Sequence, residues 1–160
     1  MNLRIGHGVD AHRLVAGRPL MLGGVAVPHD RGLEGHSDGD AAAHALADAV
    51  LGAAGLGDLG SHFPSGEERW RDASGSELLR QAAARAREAG WQTASGQVVV
   101  LAEQPRLSDH TAAMAAAMAE ALGMPVDRLA VSATTTDGMG LIGRMEGIAA
   151  SAVVLLTSIH

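Results

Sequence analysis

Cysteine is absent from this chain of 160 residues, and lysine and tyrosine are missing as well. Without thiols the protein can form neither a disulfide bond nor a thiolate metal site. The chain does contain 8 histidines and 18 acidic residues. Any metal ion must therefore be bound by imidazole and carboxylate groups.

Aromatic side chains are scarce, being limited to Phe63, Trp70 and Trp91. The core must consequently be built from Ala, Val, Leu, Ile and Met, and small side chains each bury less apolar area. A lone subunit of this composition is expected to be only modestly stable. We expect oligomerisation to offset that weakness.

The chain carries a net charge of -6, so it lacks the basic footprint that nucleic-acid binding requires. No apolar run approaches the about 18 residues of a membrane span, and the first residues show no signal-peptide pattern. The sequence therefore predicts a cytoplasmic protein with neither nucleic acid nor membrane as partner. At this length a single domain, residues 1–160, is the simplest organisation.

Apolar runs alternate with helix signals, which predicts an α/β (α+β) fold. Strands are expected at 3–9, 19–27, 97–102, 129–136 and 148–159, and helices at 40–54, 75–89 and 108–122. Ser74 and Glu77 form a capping box at the start of the second helix. The near-continuous apolar strands predict a sheet buried on both faces. Segment 55–75 is predicted to be a loop, and the length and polarity of its part at 60–75 favour a lid over a site.

The segment Asp10-Ala11-His12 and the later His44 form the most informative pattern. Side chains two residues apart in a strand point to the same face. A third ligand from a helix packed on that face would complete three protein ligands and leave one position open, as in catalytic zinc sites. Asp40 and Asp48 lie four residues to either side of His44, so we expect them to orient its imidazole. On spacing alone, a packed histidine without a metal is the alternative.

Glycine- and hydroxyl-rich segments form a second pattern. Thr134-Thr135-Thr136-Asp137-Gly138 follows a predicted strand, and exposed N–H groups with threonine hydroxyls suit phosphate oxygens. Segments 57–60 and 65–66 have similar character. Asp137 beside a diphosphate could hold a harder cation, Mg²⁺ or Mn²⁺. The alternative is that the threonines mark a strand and the glycines mark turns.

Other standard catalytic patterns are missing from the sequence. It contains no Walker A motif, no Gly-x-Gly-x-x-Gly at the start of a helix and no Gly-x-Ser-x-Gly elbow. Without cysteine there is no thiol nucleophile. The candidate metal ligands and the candidate phosphate-binding segments are the patterns that remain, each with the alternative given above.

The motifs at these positions resemble the 2-C-methyl-D-erythritol 2,4-cyclodiphosphate synthase family over essentially the whole chain. The most specific of them is His36-Ser37-Asp38-Gly39-Asp40 followed by His44. The others are segments 4–12, 45–49, 56–60, 63–64, 105–107, 133–137 and 143–147. Several specific blocks in the same order leave little room for coincidence.

The resemblance implies one reaction, in the non-mevalonate pathway to isoprenoid precursors. The 2-phosphate of 4-diphosphocytidyl-2-C-methyl-D-erythritol 2-phosphate attacks the β-phosphorus of its own diphosphate, and CMP leaves. The resemblance implies that Asp10, His12 and His44 bind Zn²⁺. It also implies that Asp137 holds Mg²⁺ or Mn²⁺ together with the substrate diphosphate.

The same resemblance implies the remaining site residues. His36 and Thr135 are implied to be the catalytic residues that stabilise the transition state. The implied substrate-binding residues are Asp58, Leu59, Gly60, Phe63, Pro64, Ser65, Gly66, Glu67, Ala102, Glu103, Gln104, Pro105, Arg106, Leu107, Ser108, Ala133, Thr134, Thr135, Thr136, Leu141 and Arg144.

An assembly is implied as well. Members of the family are homotrimers in which mixed, mainly four-stranded sheets surround a threefold axis, with helices on one outer face. Each active site lies between neighbouring subunits and takes a small-molecule nucleotide substrate. The apolar segment 148–159 is the candidate for packing between subunits.

The chain departs from the usual family pattern at a few positions. Ser65-Gly66-Glu67 stands where the family usually has Asp followed by another acidic or hydroxyl residue, Asp137 stands where Glu is common, and Leu141 replaces a frequent Phe. Glu103-Gln104 alters the nucleotide loop. These departures predict altered affinity for the substrate and the second cation, whereas the zinc ligands are intact.

Two other functions share parts of this pattern. A zinc-dependent phosphohydrolase of a nucleotide diphosphate would use the same ligands but release a linear product. A non-enzymatic trimeric scaffold for metal or nucleotide would have a fourth protein ligand, for which His7 and His62 are available.

Overall fold

Strands and helices follow one another in an α+β order, and the computed structural model describes every residue, Met1–His160. The strands are β1 (Leu3–Ala16), β2 (Leu20–Leu22), β3 (Val25–Val27), β4 (Arg31–Leu33), β5 (Trp91–Leu101), β6 (Leu129–Thr134) and β7 (Gly147–Ser158). The helices are α1 (Ala41–Ala54), α2 (Leu59–His62), α3 (Gly75–Glu88), α4 (Thr111–Leu122) and α5 (Gly140–Gly143), with 3₁₀ turns at Glu68–Trp70 and Val126–Arg128. No helix has both the length and the hydrophobicity needed to cross a membrane.

Five strands form one sheet in the order β4-β1-β7-β5-β6, and β2 pairs with β3 in a separate hairpin. The β5–β6 pair is parallel and the other pairs of the large sheet are antiparallel. The sheet is therefore mixed, as expected, but the expectation of mainly four strands is wrong. The additional strand is β4, which has three residues and pairs with the end of β1. Three residues are too few for a periodic pattern to identify.

Helix α1 packs directly on β1 because two glycines in the strand leave room for it. A Cβ at Gly6 would collide with the carbonyl oxygen of Ala49, and a Cβ at Gly8 would collide with that of Ala45. The helix is mostly alanine, and nearly all of its residues are buried. Close approach of the two backbones, rather than interlocking large side chains, brings His44 to the first strand.

The helix boundaries follow local signals. The side chain of Asp40 accepts a hydrogen bond from the N–H of Ala43, and Gly55 ends α1 with φ of 76°. The hydroxyl of Ser74 accepts from the N–H of Glu77 at 3.1 Å and starts α3. The helices predicted at 40–54 and 75–89 are thus confirmed. The third predicted helix begins at Thr111 rather than at residue 108.

One face of the sheet is open in a single chain. Ile5, Val9 and Val153 are 76%, 61% and 44% exposed, whereas Ala150 and Ala152 on the helix side are fully buried. The expectation that the sheet is buried on both faces is therefore wrong for one chain. The strands carry apolar residues on both sides, but the helices of the same chain cover only one side.

Candidate active site

Asp10, His12 and His44 converge on one point, as expected from their spacing. Oδ2 of Asp10 lies 2.7 Å from Nε2 of His12 and 3.3 Å from Nδ1 of His44. The two ring nitrogens are 3.4 Å apart. The pair on β1 lies in the middle of a strand rather than at its end, because β1 extends to Ala16. Two imidazole nitrogens and one carboxylate oxygen at this separation form a donor set of the type that binds zinc.

Hydrogen bonds on the far side of each imidazole leave the inner nitrogen free for a metal ion. Nδ1 of His12 lies 2.7 Å from the carbonyl oxygen of Glu34, to which it can only donate. Nε2 of His12 therefore carries no proton in the neutral ring. Nε2 of His44 lies 3.1 Å from the hydroxyl of Ser37, which can accept its proton and leave Nδ1 free. Such outer hydrogen bonds fix the tautomer of metal-bound imidazoles, so the donor set fits a divalent cation.

The charges within this group favour a cation. Burial by itself would raise the pKa of Asp10, but the hydrogen bonds and charges of His12 and His44 outweigh it and lower that pKa to about 2. Burial would lower the pKa of His12, but the hydrogen bond and negative charge of Asp10 raise it above the ordinary value of 6.5. The carboxylate thus stabilises positive charge beside it, which a metal ion can supply in place of a proton.

Asp40 does not orient His44, and that prediction is corrected. Its buried carboxylate accepts hydrogen bonds from the N–H groups of Gly23 and Gly24, both at 2.8 Å, and of Ala43 at 3.0 Å. Burial raises the pKa of Asp40 although these donors oppose the shift. The residue caps α1 and ties it to the β2–β3 turn, because a carboxylate at a helix N-cap turns toward backbone N–H groups.

Asp48 does not orient His44 either. Its carboxylate accepts from the N–H of Leu59 at 2.9 Å and so holds the start of α2. A spacing of four residues places Asp48 and His44 on the same helix face, but the position of a third element decides which partner each side chain meets. The outer partner of the His44 imidazole is Ser37, which lies within the motif at 36–40 but carries no local signal of this contact.

A cavity of about 150 Å³ opens beside the three ligands. It is lined by His12, His36, Ser37, His44, Leu59, Gly60, Phe63, Ser65, Trp70 and Leu78. The structure thus brings His36 and four of the expected substrate-binding residues to the ligands. Four other expected residues do not line this cavity: Asp58, Pro64, Gly66 and Glu67. Asp58 caps α2 through Ser61, and Glu67 pairs with Arg69.

His36 is tied to the segment that follows α2. Its Nε2 lies 3.0 Å from the carbonyl oxygen of Glu67, and its own carbonyl accepts from the N–H of Asp72 at 2.9 Å. Phe63 is buried and meets Trp70 edge-on, with ring centroids 4.8 Å apart. Segment 55–75 therefore contains regular turns and forms a wall of the cavity. The movement of residues 60–75 as a lid stays a prediction.

A larger cavity, of about 860 Å³, lies at the edge of the sheet formed by β6. It is lined by His29, residues 102–108, Thr111 and residues 131–135. The two segments expected to bind the nucleotide therefore meet, and the N–H of Ala102 donates to the carbonyl of Thr134 at 3.0 Å. The side chain of His29 is only 13% exposed and contributes to the wall.

Thr135 lines this larger cavity, and Asp137 follows it on the exposed loop. The Thr135 hydroxyl lies 3.2 Å from Oδ1 of Asp137. Asp137 belongs to no group of three or more imidazole or carboxylate side chains that could hold an ion. A cation at Asp137 would therefore need further ligands from outside the imidazole and carboxylate side chains of this chain. Leu141 and Arg144 line neither cavity, and Arg144 pairs with Glu146 at 2.8 Å.

The two cavities lie toward opposite edges of the sheet. Asp10 on β1 is in register with Ala150 on β7, Ala150 with Val100 on β5, and Val100 with Ala133 on β6. This row crosses three strand spacings of about 4.8 Å, or roughly 14 Å in total. His36 and Thr135 belong to different cavities, and one chain does not bring them together.

The two spare histidines are engaged elsewhere. Nε2 of His7 lies 2.9 Å from the hydroxyl of Ser151, and Nε2 of His62 lies 2.7 Å from the carbonyl of Leu56. Neither belongs to the ligand group. The fourth protein ligand that a purely structural metal site would have is therefore not supplied by these residues.

Comparison with known proteins assigns the chain to a family. The model of the YgbB family matches residues 3–157. The chain belongs to the YgbB family. A 2-C-methyl-D-erythritol 2,4-cyclodiphosphate synthase from Salinibacter ruber is 53% identical to this YgbB chain over 156 residues, which cover 98% of the chain and 99% of that protein. The resemblance found in the motifs is thus confirmed.

Solved structures of YgbB relatives share the fold. A 2C-methyl-D-erythritol-2,4-cyclodiphosphate synthase and its CDP-bound form are 40% and 39% identical, each with a TM-score of 0.88, and the match covers 96% of this chain and all of theirs. The bifunctional IspDF from Campylobacter jejuni is 41% identical with a TM-score of 0.94 over 98% of this chain. This chain spans 42% of that longer protein.

Proposed function

We propose that this protein converts 4-diphosphocytidyl-2-C-methyl-D-erythritol 2-phosphate to 2-C-methyl-D-erythritol 2,4-cyclodiphosphate with release of CMP. It would act as a lyase in isoprenoid biosynthesis. The relatives bearing the name of this synthase and the relative with bound CDP support the proposal. The observation that carries it is the convergence of Asp10, His12 and His44 beside His36 at one cavity.

We propose Zn²⁺ as the ion at Asp10, His12 and His44, and Mg²⁺ or Mn²⁺ at Asp137 with the substrate diphosphate. The two imidazoles and the carboxylate match the ligand preference of zinc, and a lone carboxylate suits a hard cation that shares phosphate oxygens. The bound ions would supply Lewis-acid and template chemistry at the phosphoryl oxygens.

The residues around the cavity would favour ring closure over hydrolysis. An oxygen of the 2-phosphate forms a bond to the β-phosphorus, the bond from that phosphorus to the bridging oxygen breaks, and CMP leaves with the electron pair. Phe63 and Leu59 line the cavity and would exclude water from it. An intramolecular nucleophile held in place can reach an effective molarity of about 10⁵–10⁸ M. His36 would stabilise the charge that builds up on the phosphoryl oxygens.

We propose a homotrimer with each active site between two subunits. The cavity beside Asp10, His12 and His44 (the metal-side cavity) and the cavity lined by residues 102–108 and 131–135 (the nucleotide-side cavity) lie toward opposite edges of one sheet. A complete site would therefore form where the nucleotide-side cavity of one chain meets the metal-side cavity of its neighbour. Thr135 and Asp137 would then act on substrate held by the neighbour's zinc ligands. The open sheet face with Ile5, Val9 and Val153 would provide the apolar contact.

A turnover assay tests the proposed function. Purified protein is incubated with the substrate, and CMP and phosphate products are quantified by ³¹P nuclear magnetic resonance before chelation, after it and after return of Zn²⁺. We expect equimolar CMP and cyclic diphosphate, lost on chelation and restored by zinc. CMP with a linear product would instead identify a phosphohydrolase, and full turnover without metal would contradict the zinc assignment.

A matched pair of variants tests the ligand assignment. His44→Ala is expected to abolish zinc retention and turnover together, because it removes one of three protein ligands. His160→Ala removes an exposed histidine at the end of the chain and is expected to change neither. A His44→Ala protein with full zinc content and normal rate would contradict the assignment.

A further inference from the structure

The turn between β1 and β2 carries an arginine whose guanidinium is occupied by backbone groups. Nη1 of Arg18 donates to the carbonyl of Gly35 at 2.8 Å, and Nη2 donates to the carbonyl of Ser37 at 2.7 Å. These two carbonyls flank His36. The planar fork of a guanidinium suits two acceptors held at a fixed separation. Arg18 therefore grips the main chain on both sides of the imidazole that lines the metal-side cavity.

Arg18 forms no ion pair with a carboxylate. The arginines that pair with carboxylates are Arg69, Arg71, Arg80 and Arg144. Arg18 is partly buried, and both of its terminal nitrogens are used by the two carbonyls. Its charge is therefore committed to this segment of main chain.

The turn that carries Arg18 packs closely on β4. A Cβ at Gly32 on β4 would collide with the carbonyl oxygens of Arg18 and Pro19, so the turn lies directly on that strand. The strand is in turn paired with β1, with Val15 opposite Gly32. The side chain thus reaches residues 35–37 from a backbone that is fixed on the sheet.

Segment 35–37 is held from its other side through His36, whose carbonyl accepts from the N–H of Asp72 at 2.9 Å and whose Nε2 lies 3.0 Å from the carbonyl of Glu67. It belongs to no helix or strand, and no backbone N–H donates to the carbonyl of Gly35 or Ser37. Yet it carries two side chains of the site. His36 lines the cavity, and the hydroxyl of Ser37 lies 3.1 Å from Nε2 of His44.

We propose that Arg18 is a positioning residue for the phosphoryl transfer, acting by fixing the main chain on both sides of His36 rather than by touching substrate. This inference rests on the proposed function. A displacement of a catalytic group by about 1 Å can cost about 100-fold in rate. The two hydrogen bonds from Arg18 would therefore affect the rate of the chemical step and leave substrate binding unchanged.

Three variants of the protein test the role of Arg18. Arg18→Ala is expected to lower kcat by about 10- to 100-fold, with KM, CDP binding measured by calorimetry and zinc content close to those of the wild type. Its melting temperature is expected to fall, because two hydrogen bonds from a charged donor are lost. Arg18→Lys is expected to recover part of kcat, because an ammonium can reach one carbonyl but lacks the fork. Arg80→Ala removes an exposed arginine of α3 and is expected to match the wild type in every measurement.

Coupling to His36 separates a positioning role from a general structural one. If Arg18 acts through His36, adding Arg18→Ala to His36→Ala should lower kcat by less than about threefold, since both changes remove the same contribution. A full further loss in the double variant would overturn the inference. So would a raised KM with unchanged kcat, a loss of zinc, or a kcat equal to that of the wild type. Where Arg18→Ala fails to fold, the Lys variant decides, and an unchanged kcat there overturns the proposal.

The assay also keeps the two proposals apart. A wild type and Arg80→Ala that form cyclic product, with an Arg18→Ala that matches them, would reject the positioning role alone. A wild type that forms no cyclic product would reject the proposed function, and the positioning role with it.

Discussion

Gly8 on β1 lies directly against the carbonyl oxygen of Ala45 on α1, one residue beyond the ligand His44. A strand and a helix can come this close only where the strand has no side chain. Asp10 and His12 lie on the same strand two and four residues farther along. The distance between the ligands on the strand and the ligand on the helix is therefore set by a glycine that is not itself a ligand.

Gly8→Ala is expected to destabilise the fold and weaken zinc binding together. The added methyl would meet backbone atoms of α1, which cannot rotate away, so α1 must shift. Forced overpacking typically costs about 1–3 kcal/mol. Urea unfolding of the metal-free protein and a zinc competition titration measure the two effects.

Gly52→Ala provides the matched control, because Gly52 lies on α1, the helix that Gly8 contacts. No atom lies within 4 Å of the position that its Cβ would occupy. Alanine is favoured over glycine in a helix by about 1 kcal/mol, so this variant is expected to be more stable with unchanged zinc affinity. Equal effects of the two substitutions would contradict the packing explanation.

Ser37→Ala is expected to weaken zinc affinity by about 10- to 100-fold, because the outer partner of the His44 imidazole is lost. Asp48→Asn is the comparison, since Asp48 bonds to the N–H of Leu59 and not to His44. We expect normal zinc affinity in that variant. A zinc titration of both proteins decides, and the reverse ranking would restore the carboxylate as the outer partner.

The pH dependence of stability is expected to have opposite signs with and without zinc. In the metal-free chain the raised pKa of His12 stabilises the fold fully below pH 6.5, and this contribution is lost as the pH rises through the folded-state pKa. The lowered pKa of Asp10 contributes stability above pH 3.8 that is lost as the pH falls toward about 2.

Zinc competes with the proton on His12, so its affinity is expected to rise with pH across the same window. Melting curves between about pH 6 and pH 8 should therefore show the metal-free form losing stability as the pH rises and the zinc-loaded form gaining it. Parallel slopes in the two forms would show that His12 is not where the ion and the proton compete.

Mixed assemblies are expected to recover activity that neither parent has. His44→Ala removes the metal side of the site, and Thr135→Val removes the hydroxyl of the nucleotide side. If each site is shared between subunits, co-expression of the two should give roughly a quarter of the sites with both sides intact. Turnover of the purified mixture is compared with that of each parent and of the parents mixed after purification. No recovery in assemblies shown to be mixed would contradict a shared site.

Much of the metal centre could be identified before any fold was known. Asp10 and His12 are two residues apart in a strand, and His44 lies on a helix with clear N-terminal and C-terminal signals. Alternation along a strand, capping and ligand chemistry are local properties, so residue types and spacing are enough to state them. The same spacing predicts the wrong orienting partners for His44, because a shared helix face does not specify which third element comes within hydrogen-bonding distance.

Long-range pairing accounts for what local patterns missed. The three-residue β4 is recognisable only through its pairing with β1. The hydrogen bonds of Arg18 reach Gly35 and Ser37, which lie 17 and 19 positions farther along the chain. The separation of Asp10 from Ala133 depends on the strand order, which places β7 and β5 between them. The chemistry of each residue can be read from the sequence. Strand order and the hydrogen-bond partners of side-chain ends instead depend on how the whole core is buried. Folding therefore decided that the cavity beside Asp10, His12 and His44 and the cavity lined by residues 102–108 lie at separate places on the sheet.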